Sequence, residues 1–248
     1  MKKTFLKIGL LLTLGLTTAV FNSCTKDDES DNGKAGTITA TNVVNSSSQI
    51  ATVKAEVWYN DNKDVLAEAQ YKNNGFTLKL PATVDAKYLE SMFEDDEDMA
   101  GVTVSDKTAK GFSISKFRAY DKNDKEIGRL MYASADPSSD NNDNYSGAMW
   151  LYVDKNVTIK GQNKDKDEEY NEEYIANYNL TLKKGWNICY ISETYTNNKS
   201  AKTYTTTVAS KKPSVTLKWY FYGYDNEDYA TILKSTKSLS KRKSCFTK

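Results

Sequence analysis

The stretch Thr52-Val53-Lys54-Ala55-Glu56-Val57-Trp58-Tyr59 alternates between two kinds of side chain. Val53, Ala55 and Val57 are apolar, whereas Thr52, Lys54 and Glu56 are polar or charged. Side chains of a β-strand point alternately to the two faces of a sheet, so this period predicts a strand with one face on a core. The turn-forming residues 60–63 follow directly, and the chain then returns in a second apolar stretch.

The same pattern extends along the chain in both directions. Asn73-Asn74-Gly75 is a strong hairpin signal, because Asn and Gly tolerate positive φ. The alternating stretch 76–80 follows and stops at Pro81. Residues 85–93 are the one plausible helix, with Asp85 as its candidate N-cap. Further strands are predicted at 111–120, 126–133, 146–153, 156–160, 174–182, 186–195, 202–209 and 214–222.

Many short strands separated by close turns predict an all-β protein, an antiparallel β-sandwich of about 10–12 strands. At most one short helix is expected, near 85–93. The sandwich is predicted to span residues 37–225, with a candidate subdomain boundary near 95–105. Three or four strands bury little surface alone, so one continuous assembly is favoured over two domains.

The first part of this domain resembles a known kind of module. Residues 37–81, with Gly75-Phe76-Thr77-Leu78-Lys79-Leu80-Pro81, are similar to the transthyretin-like and carboxypeptidase-regulatory-like β modules of bacterial envelope proteins. The resemblance implies a fold and no activity.

The beginning of the chain has the composition of an export signal. Lys2, Lys3 and Lys7 precede an apolar segment, 8–21, of 14 residues. About 20 apolar residues are needed to cross a bilayer as a helix, so this segment is too short for a comfortable span. Residues 1–23 are therefore predicted to be a cleavable signal peptide.

The residues around the predicted cleavage point resemble those of bacterial lipoproteins. Phe21-Asn22-Ser23-Cys24 is similar to the site cut by the lipoprotein signal peptidase, after which the cysteine carries acyl chains. Lys26-Asp27-Asp28-Glu29 looks like the export signal of Bacteroides-like Gram-negative bacteria: Lys26, Asp27, Asp28 and Glu29 directly follow the cysteine. The alternative is an ordinary secretory signal, in which Cys24 is not modified.

This resemblance implies a location at the cell surface. Lipid attached to Cys24 would hold the protein on the outer membrane without spanning it, since two or more acyl chains give stable anchoring. Residues 24–36 are polar, acidic and poor in apolar side chains, so they are predicted to be a tether. Membrane lipid is thus the first expected partner.

The charge distribution argues against nucleic acid as a partner. Removing residues 1–23, which contain three lysines and no acids, leaves 31 basic and 33 acidic residues. Six of the basic residues lie in 234–248, which contains no acid. Residues 24–233 therefore contain 25 basic and 33 acidic residues, a net charge of −8. Nucleic-acid binding requires a positive surface. The segment 226–248 is predicted to be a basic, solvated C-terminal tail.

The absence of histidine limits the chemistry of the chain. The sequence contains no histidine, which excludes Ser-His-Asp and Cys-His nucleophiles and zinc sites that use imidazole. No metal site and no cofactor is predicted. Cys189 and Cys245 remain after Cys24 is assigned to lipid, and they are a candidate disulfide in an oxidising compartment.

Two strands carry aromatic residues in rows. If the aliphatic residues of 148–153 and the row Val215, Leu217, Trp219 and Phe221 face the core, then other aromatic side chains face outward. Flat aromatic rings suit stacking on sugar rings or a partner protein, although tyrosine is also a good strand former. These candidate aromatics are Trp150, Tyr152, Tyr220 and Tyr222.

The sequence thus favours a surface lipoprotein that is not an enzyme and that acts as an accessory binding module for a glycan or an envelope protein. Two alternatives remain open: a hydrolase that uses carboxylates alone, or a purely structural envelope subunit. A carboxylate hydrolase needs two acids about 5–10 Å apart in a cleft, and no such pair is identified by the sequence.

Overall fold

A computed structural model describes residues 36–59, 62–93, 100–135, 144–197 and 202–224. Within these ranges the chain forms fifteen strands and one short 3-10 turn, Ala86–Tyr88, so the all-β prediction is confirmed. The strands are β1 Thr37–Ala40, β2 Thr52–Tyr59, β3 Asn62–Gln70, β4 Phe76–Lys79, β5 Glu90–Ser91, β6 Val102–Val104, β7 Lys110–Ile114, β8 Phe117–Tyr120, β9 Glu126–Ala133, β10 Asn144–Val153, β11 Val157–Asp167, β12 Glu172–Leu182, β13 Gly185–Asn197, β14 Lys202–Ala209 and β15 Lys218–Gly223.

Local sequence signals explain several of these boundaries. Lys72 pairs with Gly75 across a two-residue turn in which Asn73 and Asn74 both have positive φ, as a type I′ hairpin requires. The predicted helix is reduced to a single turn: Asp85 accepts the N–H of Lys87, but the chain becomes extended at Leu89. In the described part of the chain, no helix has the length and apolar character needed to cross a membrane.

The strands form two sheets. β1 and β4 pair in a small sheet, and the others join one large sheet in the order β3-β2-β8-β9-β10-β13-β14-β12-β11-β6, with β15 beside β9, β7 beside β10 and β5 beside β7. β9 and β10 pair in register at one position, Gly147 with Ala133, and the Ser134 N–H donates to the Ser146 carbonyl beside it. β12 and β14 are parallel, because β14 lies between β12 and β13 instead of beyond β13.

The first hydrophobic core, called core one, lies between β1, β2, β4, β8, β9 and β15 on one side and β10 and β13 on the other. Strands from residues 37–91 and from residues after 110 contribute to it together, so the stretch 95–105 does not separate two cores. Its largest buried members include Ile38, Val53, Phe76, Leu78, Phe117, Leu130, Trp150, Tyr152, Trp219 and Phe221.

A second cluster, called core two, lies on the opposite face of β10 and β13. The same cluster receives side chains from β11, β12 and β14, which follow β13 in the large sheet. Its buried residues are Met92, Ala109, Met149, Leu151, Val153, Val157, Ile159, Leu180, Leu182, Cys189 and Val208. β10 is therefore covered on both faces.

Candidate ligand-binding face

The predicted outward aromatic residues are mostly inside the protein, which corrects the sequence-based interpretation. Trp150 and Tyr152 lie in core one and are only 4% and 5% exposed to solvent, and Tyr222 is 6% exposed. Tyr220 is half-buried. Leu217, Trp219 and Phe221 are buried as predicted, but Val215 is 45% exposed because β15 begins only at Lys218.

The error has a physical cause. The prediction assumed that each strand buries one face, yet β10 lies between two cores and buries both. Its apolar run 147–153 contains no charged or strongly polar side chain, which is the pattern expected of a strand covered on both sides. The aliphatic row of this segment is buried as predicted, and the error was to conclude that the aromatic row therefore faces solvent.

A different set of aromatic residues lies at the surface. Tyr174, Tyr204 and Tyr195 stand side by side on β12, β14 and β13. The ring centroids of Tyr174 and Tyr204 are 4.9 Å apart at an interplanar angle of 14°, and those of Tyr204 and Tyr195 are 4.9 Å apart at 33°. All three side chains are half-buried. Cross-strand stacking of this kind holds the rings in fixed positions.

The row formed by Tyr174, Tyr204 and Tyr195 lies on the same face of the sheet as core two and extends it towards solvent. Tyr174 shares its face of β12 with Tyr178, Leu180 and Leu182, and the last two are buried in core two. On β10, Tyr145 has the same parity as Met149, so it also belongs to this face. We call the surface formed by Tyr145, Tyr174, Tyr178, Tyr195 and Tyr204 the tyrosine face.

One end of the tyrosine face carries an ordered ion pair. The Tyr174 hydroxyl donates to Glu172 Oε2 at 2.5 Å, and Lys202 Nζ donates to Glu172 Oε1 at 3.1 Å. The hydrogen bonds from Tyr174 and from Lys202 lower the pKa of the Glu172 carboxyl. Glu172 is therefore a carboxylate at neutral pH, and it fixes the orientation of the tyrosine beside it.

A second carboxyl lies deeper in the same face. Glu193 on β13 pairs with Tyr145 on β10, and burial raises the pKa of both side chains. Tyr145 leans over Gly147, where a Cβ atom would lie 2.7 Å from the tyrosine hydroxyl. Glycine thus leaves room for the ring to cover the sheet next to Glu193.

A separate polar cluster covers the outer side of the first half of the large sheet. The Glu56 side chain is 1% exposed; it accepts a hydrogen bond from the Tyr120 hydroxyl at 2.5 Å, and Arg118 Nε lies 2.9 Å from its Oε2. The contact between Arg118 Nε and Glu56 Oε2 is an ion pair whose geometry does not make it a hydrogen bond. Arg118 Nη1 also donates to Glu126 Oε1 at 2.5 Å, and the exposed Trp58 ring lies 5.9 Å from the guanidinium.

This cluster is built for stability and not for proton transfer. Partial burial acts to raise the pKa of Glu126, but hydrogen bonds from Tyr224 and Arg118 outweigh it, so the pKa is lowered from 4.5. A general acid in glycoside hydrolysis requires the opposite, a raised pKa. Both carboxylates of the cluster are bound to the same arginine, which leaves neither of them available to a substrate.

We expect Glu126→Gln to lower the free energy of unfolding by about 1–2 kcal/mol at pH 7, since it weakens charged hydrogen bonds. Because the folded pKa of Glu126 is depressed, its contribution is present above the unfolded pKa and disappears as pH falls through the folded value. Urea titrations of both proteins should therefore differ at pH 7 and converge in acid below pH 4.5.

The control for this prediction is Glu68→Gln. Glu68 is half exposed and lies 3.8 Å from Lys54, so its replacement should change stability by less than about 0.5 kcal/mol. A constant difference between Glu126→Gln and the wild type from neutral to strongly acid pH would contradict the role assigned to this carboxylate.

Of the remaining predicted site residues, the structure describes only Cys189. Cys189 is fully buried in core two, and burial raises the pKa of its thiol to about 12. Cys245, Cys24 and the export signal Lys26, Asp27, Asp28 and Glu29 lie outside the described residues, as do the tether and the C-terminal tail. The disulfide and the anchor therefore stay predictions. Within the described ranges, no group of three or more acidic or cysteine side chains could hold a metal ion.

The tyrosine face was missed because its strands meet only in the folded sheet. One signal in the sequence does point to it: Tyr174 and Tyr178 have the same parity as Leu180 and Leu182, so they extend a core-facing row. No family model, no curated protein and no solved structure matches this chain.

Proposed function

We propose that this protein is a lipid-anchored surface lipoprotein that binds glycans through its tyrosine face and catalyses no reaction. The single observation that carries the binding role is the set of five tyrosines on four adjacent strands, on the face where core two opens to solvent. Tyrosine combines an apolar ring for sugar faces with a hydroxyl for sugar hydroxyl groups. The anchor rests on Cys24 and the residues that follow it.

Rigid, half-exposed rings favour binding, because little side-chain entropy is lost when a ligand is bound. Stacking and the Glu172 hydrogen bonds hold Tyr174 and Tyr204 in place before a ligand arrives. An accessory protein that holds a polymer near the cell surface needs such a platform and no reactive group.

Glu172 and Glu193 cannot serve together as the carboxylate pair of a glycoside hydrolase. In the pairing register, Glu193 and Glu172 are two strands and four residues apart, a separation of about 16 Å. A hydrolytic pair needs about 5–10 Å. Glu172 is also held in an ion pair with Lys202.

We expect Tyr204→Ala to weaken glycan binding about tenfold, because it removes the central ring and leaves both neighbours without their stacking partner. The measurement is calorimetric titration of the folded protein with a panel of soluble polysaccharides. Tyr204→Phe should retain most of the affinity, whereas Tyr170→Ala, at an exposed position in the β11–β12 turn, should retain all of it.

The panel also tests the alternatives. Release of reducing sugar would identify a hydrolase and overturn the proposal. If no polysaccharide binds and the protein co-purifies in fixed proportion with an envelope protein, it is a structural subunit instead. Equal affinities of Tyr204→Ala and the wild type would place glycan binding elsewhere on the surface.

A further inference from the structure

Strand β11 separates its charged residues by face. Asp165 and Asp167 have the parity of Val157 and Ile159, so they lie on the tyrosine face. Lys164 and Lys166 alternate with them and point to the opposite face. The strand therefore places acids beside the tyrosines and bases behind them.

The neighbouring strands extend this separation. Among the residues that the structure describes, the tyrosine face carries four carboxyl groups and one basic side chain, Lys202, which pairs with Glu172 at 3.1 Å. The opposite face of β11 and β12 carries three lysines and one glutamate. The acidic set is Asp165, Asp167, Glu172 and Glu193; the opposite set is Lys160, Lys164, Lys166 and Glu173.

Glu193 lies among groups that do not balance its charge. Its neighbours across the sheet are Tyr145 on β10 and Thr206 on β14. Along β13 the residues on the same face are Ile191 and Tyr195. None of these side chains is basic, and burial without an opposing cation raises the pKa of the Glu193 carboxyl.

We propose that the tyrosine face prefers glycans that carry amino groups and rejects acidic ones. This inference rests on the proposed function. An ammonium group of the ligand would lie against those π faces of the tyrosine rings that are not covered by a neighbouring ring, since the π face attracts cations. The same group would supply Glu193 with the opposite charge that its surroundings lack. A uronic acid would add a negative charge to a face whose described residues already include four acids and a single base, Lys202.

The test compares three tetrasaccharides with the same β-1,4 linkage, made of glucosamine, glucose or glucuronic acid. Calorimetric titrations use the folded protein at about pH 6 and low salt, where the amino sugar is protonated and charges are weakly screened. The glucosamine tetrasaccharide should bind at least tenfold tighter than the glucose one, and the glucuronic acid tetrasaccharide should bind weakest.

Two matched variants test the role assigned to the carboxyl group. Glu193→Gln keeps the size and hydrogen-bonding capacity of the side chain, so it should remove the preference for glucosamine over glucose. Glu173→Gln, on the opposite face of β12, should keep the full preference. Thermal unfolding of both variants shows whether they remain folded. If Glu193→Gln does not fold, Asp165→Asn on β11 provides a second test of the charge preference.

The outcomes separate this inference from the proposed function. Equal affinity for glucosamine and glucose, or tight binding of glucuronic acid, would overturn the charge preference while glycan binding stands. If Glu193→Gln still bound glucosamine more tightly than glucose, the role assigned to Glu193 in the charge preference would also be overturned. Absence of binding to all three would overturn the inference, and the wider polysaccharide panel then decides the proposed function.

Discussion

Cys24→Ala is expected to move the protein completely from the membrane fraction to the soluble fraction. The acyl chains of a lipoprotein are attached through the thiol of this residue, and alanine has no atom to which they can be attached. Each buried CH₂ group contributes about 0.8 kcal/mol to membrane binding, so two or more chains hold the protein firmly and their loss leaves it free. Cell fractionation and intact-mass measurement of the mature protein test this directly.

The control for the anchor is Cys245→Ser, which leaves Cys24 in place and should stay with the membrane. The intact mass of the wild type should exceed that of residues 24–248 by the mass of the lipid. A wild-type protein that carries no lipid, or that is recovered in solution after fractionation, would contradict the anchor and with it the assignment to the cell surface. The fold and the tyrosine face do not depend on this result.

Alternation within single strands predicted the all-β class correctly. Val53 and Ala55 are fully buried, as their spacing indicated, and the Asn73-Asn74-Gly75 turn forms at the predicted place. These are local signals: a strand repeats every two residues, and a two-residue turn needs residues that tolerate positive φ. The number of strands was underestimated, because pieces as short as β5, with two residues, give no periodic pattern.

Long-range pairing is what the sequence left undetermined. Nothing near Trp150 shows that β7 and β13 flank its strand, or that core two covers the other face. Likewise, Tyr174 and Tyr204 are 30 positions apart and meet only because β14 inserts beside β12 in parallel. The tyrosine face therefore follows from strand order, and strand order is set by how the two cores are filled.

Phe117→Ala should have the largest effect on stability among the substitutions considered, a loss of about 3–5 kcal/mol. Phe117 is completely buried, and its ring centroid lies 5.2 Å from Trp150 and 5.7 Å from Trp219. Replacement by alanine removes both edge-to-face contacts and leaves a cavity at the centre of core one. Urea unfolding followed by far-ultraviolet circular dichroism measures the loss.

The comparison with Tyr170→Ala makes the result specific to burial. Tyr170 is 63% exposed, so its truncation removes a ring of similar size at a cost within about 0.5 kcal/mol. Since Phe117 also shields Trp150 and Trp219, its loss should shift tryptophan emission to longer wavelength before unfolding begins. If Phe117→Ala and Tyr170→Ala were equally stable, core one would not be the main packing contact between β8, β9 and β15 on one side and β10 and β13 on the other. The position of β10 between two cores, from which the tyrosine face follows, would then need revision.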